Sequence, residues 1–368
     1  MQTTLRHVGL DVHKNDTVVA VADGVRGEPQ LHSRVASDHA TVERTLKKLG
    51  GPGRVRVCYE AGPTGYGLAR HLIAAGYDCI VVAPSLVPRD TRRIKTDNRD
   101  AIRLAHFLRS GNLTAVAIPD AATEAIRDLV RARDAAKRAE RVARHQLDKF
   151  LLRHGRVWTS GENWTQKHLA WVRSQTFDHA ALTATFDDAR HAVEAAGQRV
   201  ANLTASIEAV VKGWSGASLV KALQAFRGVK LVTAATVAAE IGDFKRFPTA
   251  RHFMAYLGLV PSEHSSGGTR RQGSITKTGN THVRRVLIEA AWSYRMKAAL
   301  SKDIAARNIG VAAGVQAIAW KAQVRLHKRY LRLIAKGKCK AEVVTAVARE
   351  LAGFLWAAAR EPQHLAAV

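Results

Sequence analysis

The segment His7 to Val12, HVGLDV, is an apolar run of strand length with one carboxylate inside it. Burying an ionised acid in such a run is costly unless the acid is paired or holds a cation. The surrounding chain must therefore supply either partners or a metal ion. Two more strand-like runs follow after short polar turns, Thr17 to Ala22 (TVVAVA) and Leu31 to Val35. Connections that tight predict an antiparallel meander.

A helix is predicted next, over roughly Asp38 to Leu49, stopped by Gly50 and Gly51. Val55 to Glu60 (VRVCYE) reads as a strand, followed by the Gly-rich turn AGPTGYG and a helix to about Ala75. Asp78 to Val82 (DCIVV) reads as a fifth strand, and Asp97 to Leu108 as a helix. The order βββαβαβα predicts a mixed sheet flanked by helices, the ribonuclease H-like arrangement, with the first and fourth strands adjacent and parallel. Asp11 and Glu60, at or near the ends of those strands, become neighbours. Asp97 and Asp100, three residues apart, share one helix face. Any one of these acids reads equally well as a helix cap or a solvated strand end. All four meeting in one topology form a hard oxygen cage suited to Mg²⁺. Two such ions, about 4 Å apart, serve phosphoryl transfer by activating the attacking oxygen and stabilising the leaving one.

Charge narrows the partner. The 368 residues hold 57 Lys and Arg against 31 Asp and Glu, a formal net charge of +26. Such an excess attracts a polyanion, and nucleic acid is the commonest one. Cys58, Cys79 and Cys339 are far apart and show no CxxC spacing, which argues against a zinc site or a disulfide framework. With no signal segment and no long apolar run, the chain is expected to be soluble and cytoplasmic, with no membrane partner.

Ala121 to His154 is predicted as one long Arg- and Ala-rich helix, and Phe186 to Val211 as a second. Together they suggest a coiled-coil-like hairpin or an oligomer seam. Trp158, Trp164 and Trp171 lie between them. Tryptophans can stack on bases, but packing is their commoner role. Further on, Leu223 to Leu259 reads as helices separated by Gly turns, similar to a helix-hairpin-helix, whose turn gives backbone N–H groups to phosphate. The turn is Gly228-Val229-Lys230, so Lys230 stands where a second glycine is usual. The chain from about Ala291 to its end is predicted helical and basic. Lys321, Arg325, Lys328, Arg329, Arg332, Lys336, Lys338 and Lys340 make it strongly basic, a face that phosphate or RNA contact or plain solvation would explain.

GLDVHK, YEAGPTGYG and KTDNRDA, in that order, resemble the three motifs of the DEDD insertion-sequence transposases, whose N-terminal domain is RuvC-like. The C-terminal block GLVPSEHSSGGTRRQGSITKTGNTHVRRVL, with AEIGDF and FMAYLGL before it, resembles the same family's transposase domain. The resemblance implies that Asp11, Glu60, Asp97 and Asp100 bind Mg²⁺, and that a serine before a glycine is the nucleophile. By position this is Ser266, with Ser265 beside it. A serine attack conserves the phosphodiester bond in a phosphoserine–DNA link. Arg270, Arg271, Lys277, Arg284 and Arg285 are expected to neutralise phosphate there, with Lys230 nearby.

The resemblance also implies a structured guide RNA and a homo-oligomer, dimer or tetramer. The domains expected are residues 1–118 (RuvC-like), 119–215 (helical linker), 216–300 (mainly α transposase domain) and 301–368 (basic tail). Two other classes share part of this pattern. A Holliday-junction-resolvase-like nuclease would use the acids without the serine. A nucleic-acid-binding protein would need neither.

Overall fold

The computed structural model describes residues 5–24, 27–84, 87, 96–263 and 271–361. The chain forms two compact units, residues 1–118 and 119–368.

In the first unit, β1 (Arg6–Val12), β2 (Asp16–Asp23) and β3 (Gln30–Ala36) form the meander. Then come α1 (His39–Lys48), β4 (Val55–Glu60), α2 (Gly67–Ala74), β5 (Asp78–Val82) and α3 (Asp97–Arg109). The sheet order is β3-β2-β1-β4-β5. β1 is antiparallel to β2 and parallel to β4, with Gly9 opposite Cys58 and Leu10 opposite Tyr59. The expected mixed α/β order is therefore present, with the first and fourth strands side by side.

Strand alternation divides the sheet into two unlike faces. Val8, Leu10, Val19, Val57, Tyr59 and Val81 pack against Val42 and Leu46 of α1 and Leu68 and Leu72 of α2. The opposite face is built from small residues. Gly9, Ala20 and Cys58 lie in register across β1, β2 and β4. Ala20 and Ala22 pack against Ala101 and Ala105 of α3. The small side chains let α3 lie directly on the sheet. A Cβ at Gly9 would stand 2.9 Å from Leu104 Cβ and closer still to the backbone at Ala101 and Ala105. Asp11 is the next residue along β1 on that same face.

In the second unit α4 (Ala121–Arg153) and α6 (Ala180–Val211) are long helices joined through α5 (Gln166–Arg173). They run antiparallel. Leu147, Phe150 and Leu151 of α4 meet Phe186 and Val193 of α6, while Ile126 and Val130 pack in the same core as Ile207 and Val211. α6 starts six residues before the expected Phe186. Leu182 stands one turn before Phe186 in its first turns, ALTATF, so the apolar face extends back beyond the expected start, and His179 caps the helix by accepting from the Ala181 N–H. Trp158, Trp164 and Trp171 pack around the buried His168, with ring centroids 5.6, 5.1 and 5.5 Å from it. These rings serve packing.

The rest of the unit is helical: α7 (Ala217–Leu223), α8 (Leu231–Ile241), α9 (Ala250–Tyr256), α10 (Thr281–Ala291), α11 (Lys302–Asn308), α12 (Ala313–Ala335) and α13 (Lys340–Ala359). A small hairpin of β6 (Pro261–Glu263) and β7 (Gln272–Ile275) interrupts it. α8 sits at the centre, buried continuously from Ala234 to Ile241.

Candidate metal centre and transposase-domain site

The four acids arrive from three elements. Asp11 comes near the end of β1, Glu60 ends β4, and Asp97 and Asp100 occupy the first turn of α3. Acids suit that turn because a helix N-terminus carries partial positive charge. Tyr59 fixes the glycine turn after Glu60: its hydroxyl donates to Gly65 O at 3.1 Å and accepts from the Ala69 N–H at 3.2 Å.

His13 Nε2 lies 3.1 Å from Asp11 Oδ2 and 3.6 Å from Asp97 Oδ1. Donor atoms of Asp11, His13 and Asp97 all fall within 4.8 Å of one another. One turn along α3 from Asp100, Arg103 Nη2 reaches Asp100 Oδ1 at 3.0 Å and Glu60 Oε1 at 3.3 Å. Arg34 of β3 reaches Asp97 at 3.3 Å and also pairs with Asp16. Burial pushes the Asp11 carboxyl up, His13 opposes the shift, and the Asp100 and Asp97 carboxylates add to it. A cation would relieve that repulsion, and oxygen donors of this kind suit a hard divalent ion. The residues present therefore fit a divalent metal.

Sequence reasoning missed three participants. His13 had a signal, since it lies two residues beyond Asp11, just past the end of β1. Arg103 had one too, at i+3 from Asp100. Arg34 had none, because only the pairing of β2 with β3 brings it close.

In the second unit, Ser265, Ser266 and Arg270 lie outside the described residues. The segments flanking them in the chain are tightly held. Gly258 (φ 62°) and Gly279 (φ 65°) stand where a Cβ would strike the backbone of Thr278 and Tyr256 respectively. Lys277 adopts φ 56° without being glycine, an uncommon and strained conformation. Asn280 caps α10 by accepting from the Val283 N–H at 2.9 Å and donates to Glu240 Oε2 at 2.8 Å. Burial works against charge on Glu240, but Arg131, Asn280 and Arg127 outweigh it and hold its carboxyl below its usual range. Arg131 meets both its oxygens, at 2.6 and 2.9 Å.

The expected phosphate contacts fall into two groups. Arg271 and Lys277 are exposed, and Lys230 is 72% exposed with Asp303 3.6 Å away. Arg284 and Arg285 have partners inside the chain. Arg284 donates to Leu257 O at 2.9 Å and Thr278 O at 2.6 Å, and burial lowers its pKa. Arg285 bridges Asp134 at 2.5 Å and Glu289 at 3.0 Å.

α7 and α8 form the hairpin anticipated around Gly228, which has φ 79°. A Cβ there would strike the Ala290 carbonyl. Arg307 donates to the carbonyls of Gln224, Phe226 and Val229, so the hairpin carbonyls are satisfied from α11.

A mixed-sheet unit with acids at its strand and helix ends, followed by a helical unit, is consistent with a DNA transposase. The family model of the DEDD transposase domain of the IS110 type matches residues 8–155, and that of the transposase IS116/IS110/IS902 family matches residues 220–305. The chain is 46% identical to the protein y4qE of Sinorhizobium fredii, named as a transposase, over 97% of this chain and 89% of that one. It is 33% identical to the transposase for insertion sequence element IS1533 of Leptospira borgpetersenii, over 90% of this chain and 97% of that one. The chain belongs to the IS116/IS110/IS902 family of transposases, enzymes that cleave and rejoin DNA. DEDD domains of this type work with a divalent metal. No helix among the described residues is long and apolar enough to cross a membrane.

Proposed function

We propose that this transposase cuts and rejoins the DNA of its insertion element through Asp11, Glu60, Asp97 and Asp100 holding Mg²⁺, together with Ser266 as nucleophile. The observation that supports the reading is the grouping of Asp11, His13 and Asp97 donor atoms within 4.8 Å of one another, with Arg103 linking Asp100 to Glu60. Mg²⁺ bound there supplies Lewis-acid stabilisation of charge on phosphate oxygens. His13, Arg34 and Arg103 orient the carboxylates. Ser266 Oγ attacks phosphorus, one phosphorus–oxygen ester bond breaks, and the departing DNA oxygen takes up a proton as the serine loses one. A DNA hydroxyl reverses the step on the new partner, so no bond energy is lost to water. Arg271, Lys277 and Lys230, exposed in the second unit, would neutralise phosphate charge on this reading. On this reading the protein acts at the nucleoid, in the cytoplasm, as a homo-oligomer (dimer or tetramer), with a structured non-coding RNA of the element guiding it.

The test is a covalent adduct. Incubation with element-end DNA and Mg²⁺, followed by denaturation, is expected to leave protein on one DNA end. Proteolysis should reduce it to a peptide containing Ser266. Ser266→Ala is expected to abolish the adduct while DNA binding persists, and Asp11→Asn to abolish cleavage. Cutting with free ends, indifferent to Ser266→Ala, would replace the serine by resolvase-like hydrolysis. An adduct on Ser265 would correct the residue alone.

A further inference from the structure

α12 presents two unlike sides. Val315, Ala319, Ala322, Leu326 and Tyr330 are buried in the core of the second unit. The outward side carries Trp320, 47% exposed, followed by Lys321, Arg325, Lys328 and Arg332. These residues line one groove together with Arg329 of the same helix and Glu350 of α13. Glu350 is the groove's single carboxylate and pairs with Arg325 at 2.8 Å and Arg329 at 2.7 Å. Lys321, Lys328 and Arg332 have no ion pair among the described residues. Spaced seven and four residues apart, they form a stripe of about 16 Å at ~1.5 Å per residue.

Five cations against one acid select a polyanion over a protein partner. The exposed indole narrows the choice further. Nearly half of its surface is exposed beside the stripe, and an unstacked base can lie on such a ring, whereas bases in a duplex are already stacked. Rejoining one strand at a time to a new partner takes that strand from its complement, so a reaction of this kind would supply such a strand. We propose that the α12 groove binds an unpaired DNA strand, with a base stacked on Trp320 and successive phosphates on Lys321, Lys328 and Arg332. The inference deepens the proposed function and rests on its DNA-handling reading. It needs neither the serine nor the metal.

The experiment uses the full chain in chelator, so that cleavage plays no part, and a single-stranded oligodeoxynucleotide carrying 5-bromodeoxyuridine. Irradiation is expected to cross-link the strand to the peptide containing Trp320. Trp320→Ala should weaken single-strand affinity by roughly 5- to 150-fold, the usual range for loss of one base–aromatic stack. Duplex affinity should hold. Trp320→Phe keeps a ring and should restore most of the loss, which a folding defect would not allow. Replacing Lys321, Lys328 and Arg332 together by Gln should flatten the salt dependence of single-strand binding by about 2 log units per log unit of salt, for three phosphates on a single strand.

Equal losses on duplex and single strand, or no loss with Trp320→Ala, would overturn the proposal. So would an RNA of the same sequence binding more tightly in a Trp320-dependent way. The Ser266 adduct is read separately, so failure of the groove and failure of the serine chemistry are distinguishable.

Discussion

Gly9→Ala tests how the metal centre is assembled. The added methyl would lie 2.9 Å from Leu104 Cβ, where ordinary contact begins at 3.4 Å, and nearer still to the backbone at Ala101 and Ala105. Backbone atoms cannot rotate aside, so α3 must lift from the sheet by roughly 1 Å, a form of overpacking that costs about 1–3 kcal/mol. The helix carries Asp97, Asp100 and Arg103 with it, while Asp11 and Glu60 stay on their strands. The His13 link between Asp11 and Asp97, now 3.1 and 3.6 Å, would open. Misplacement of reacting groups by 1 Å costs on the order of 10²-fold in rate. The expected result is a melting midpoint several degrees lower, weaker Mg²⁺ binding by calorimetry, and DNA cleavage reduced about 100-fold. Gly197→Ala is the control. Gly197 lies within α6 with nothing near its Cβ position, so the change should add roughly 0.5–1 kcal/mol of helix stability and leave cleavage alone. A Gly9→Ala protein that melts and cleaves like the wild type would refute the idea that the close approach of α3 sets the acid geometry.

Glu240→Gln removes the charge that Arg131 and Arg127 face in the second unit, and is expected to cost ~2–3 kcal/mol at neutral pH, less than a fully buried pair because Arg131 is half exposed. The folded carboxyl is held below its ordinary 4.5, so its contribution is complete above that value and is lost as pH falls through the depressed one. Wild type and variant should therefore converge in urea melts at acid pH, and a gap that persists there would refute the assignment. Arg284→Ala strips donors from the carbonyls of Leu257 and Thr278 and should lower stability by about 1–3 kcal/mol with the salt dependence of DNA binding unchanged. A slope reduced by about 1 with an unchanged melt would instead place Arg284 on phosphate.

The sheet was legible because its signals are local. Short apolar runs marked β1, β2 and β4, and Gly50 with Gly51 marked the end of α1. The βββαβαβα order then predicted β1 beside β4, as observed, so the strands carrying Asp11 and Glu60 are neighbours. The small-residue face of Gly9, Ala20 and Cys58 on which α3 rests emerged only from the strand register. Less legible were elements whose ends carry weak local signals. The first turns of α6 carry one apolar residue, Leu182, a turn before Phe186, among Thr and Ala, a signal easily passed over. The short β6 and β7 strands hold polar residues such as Ser262, Glu263 and Gln272, and nothing in them announced a sheet within a helical unit.

Cations were the hardest residues to read, for a physical reason. A lysine or arginine in a basic chain has three fates: an acid of its own fold, a backbone carbonyl, or a phosphate. Sequence distance does not discriminate among them. Arg285 meets Asp134, 151 residues away in the chain, and Arg284 spends its donors on two carbonyls. Both stand in a motif that reads as phosphate-binding. The fold sorts such residues by subtraction. Once internal partners are assigned, a net charge of +26 is no longer diffuse: Lys321, Lys328 and Arg332 stand in line on α12, and Arg271 and Lys277 stand exposed at and beyond β7. A polyanion is attracted by the whole excess, but cations without an internal partner bind it without first breaking a bond. The salt dependence of binding should accordingly report on these residues before any of the paired arginines.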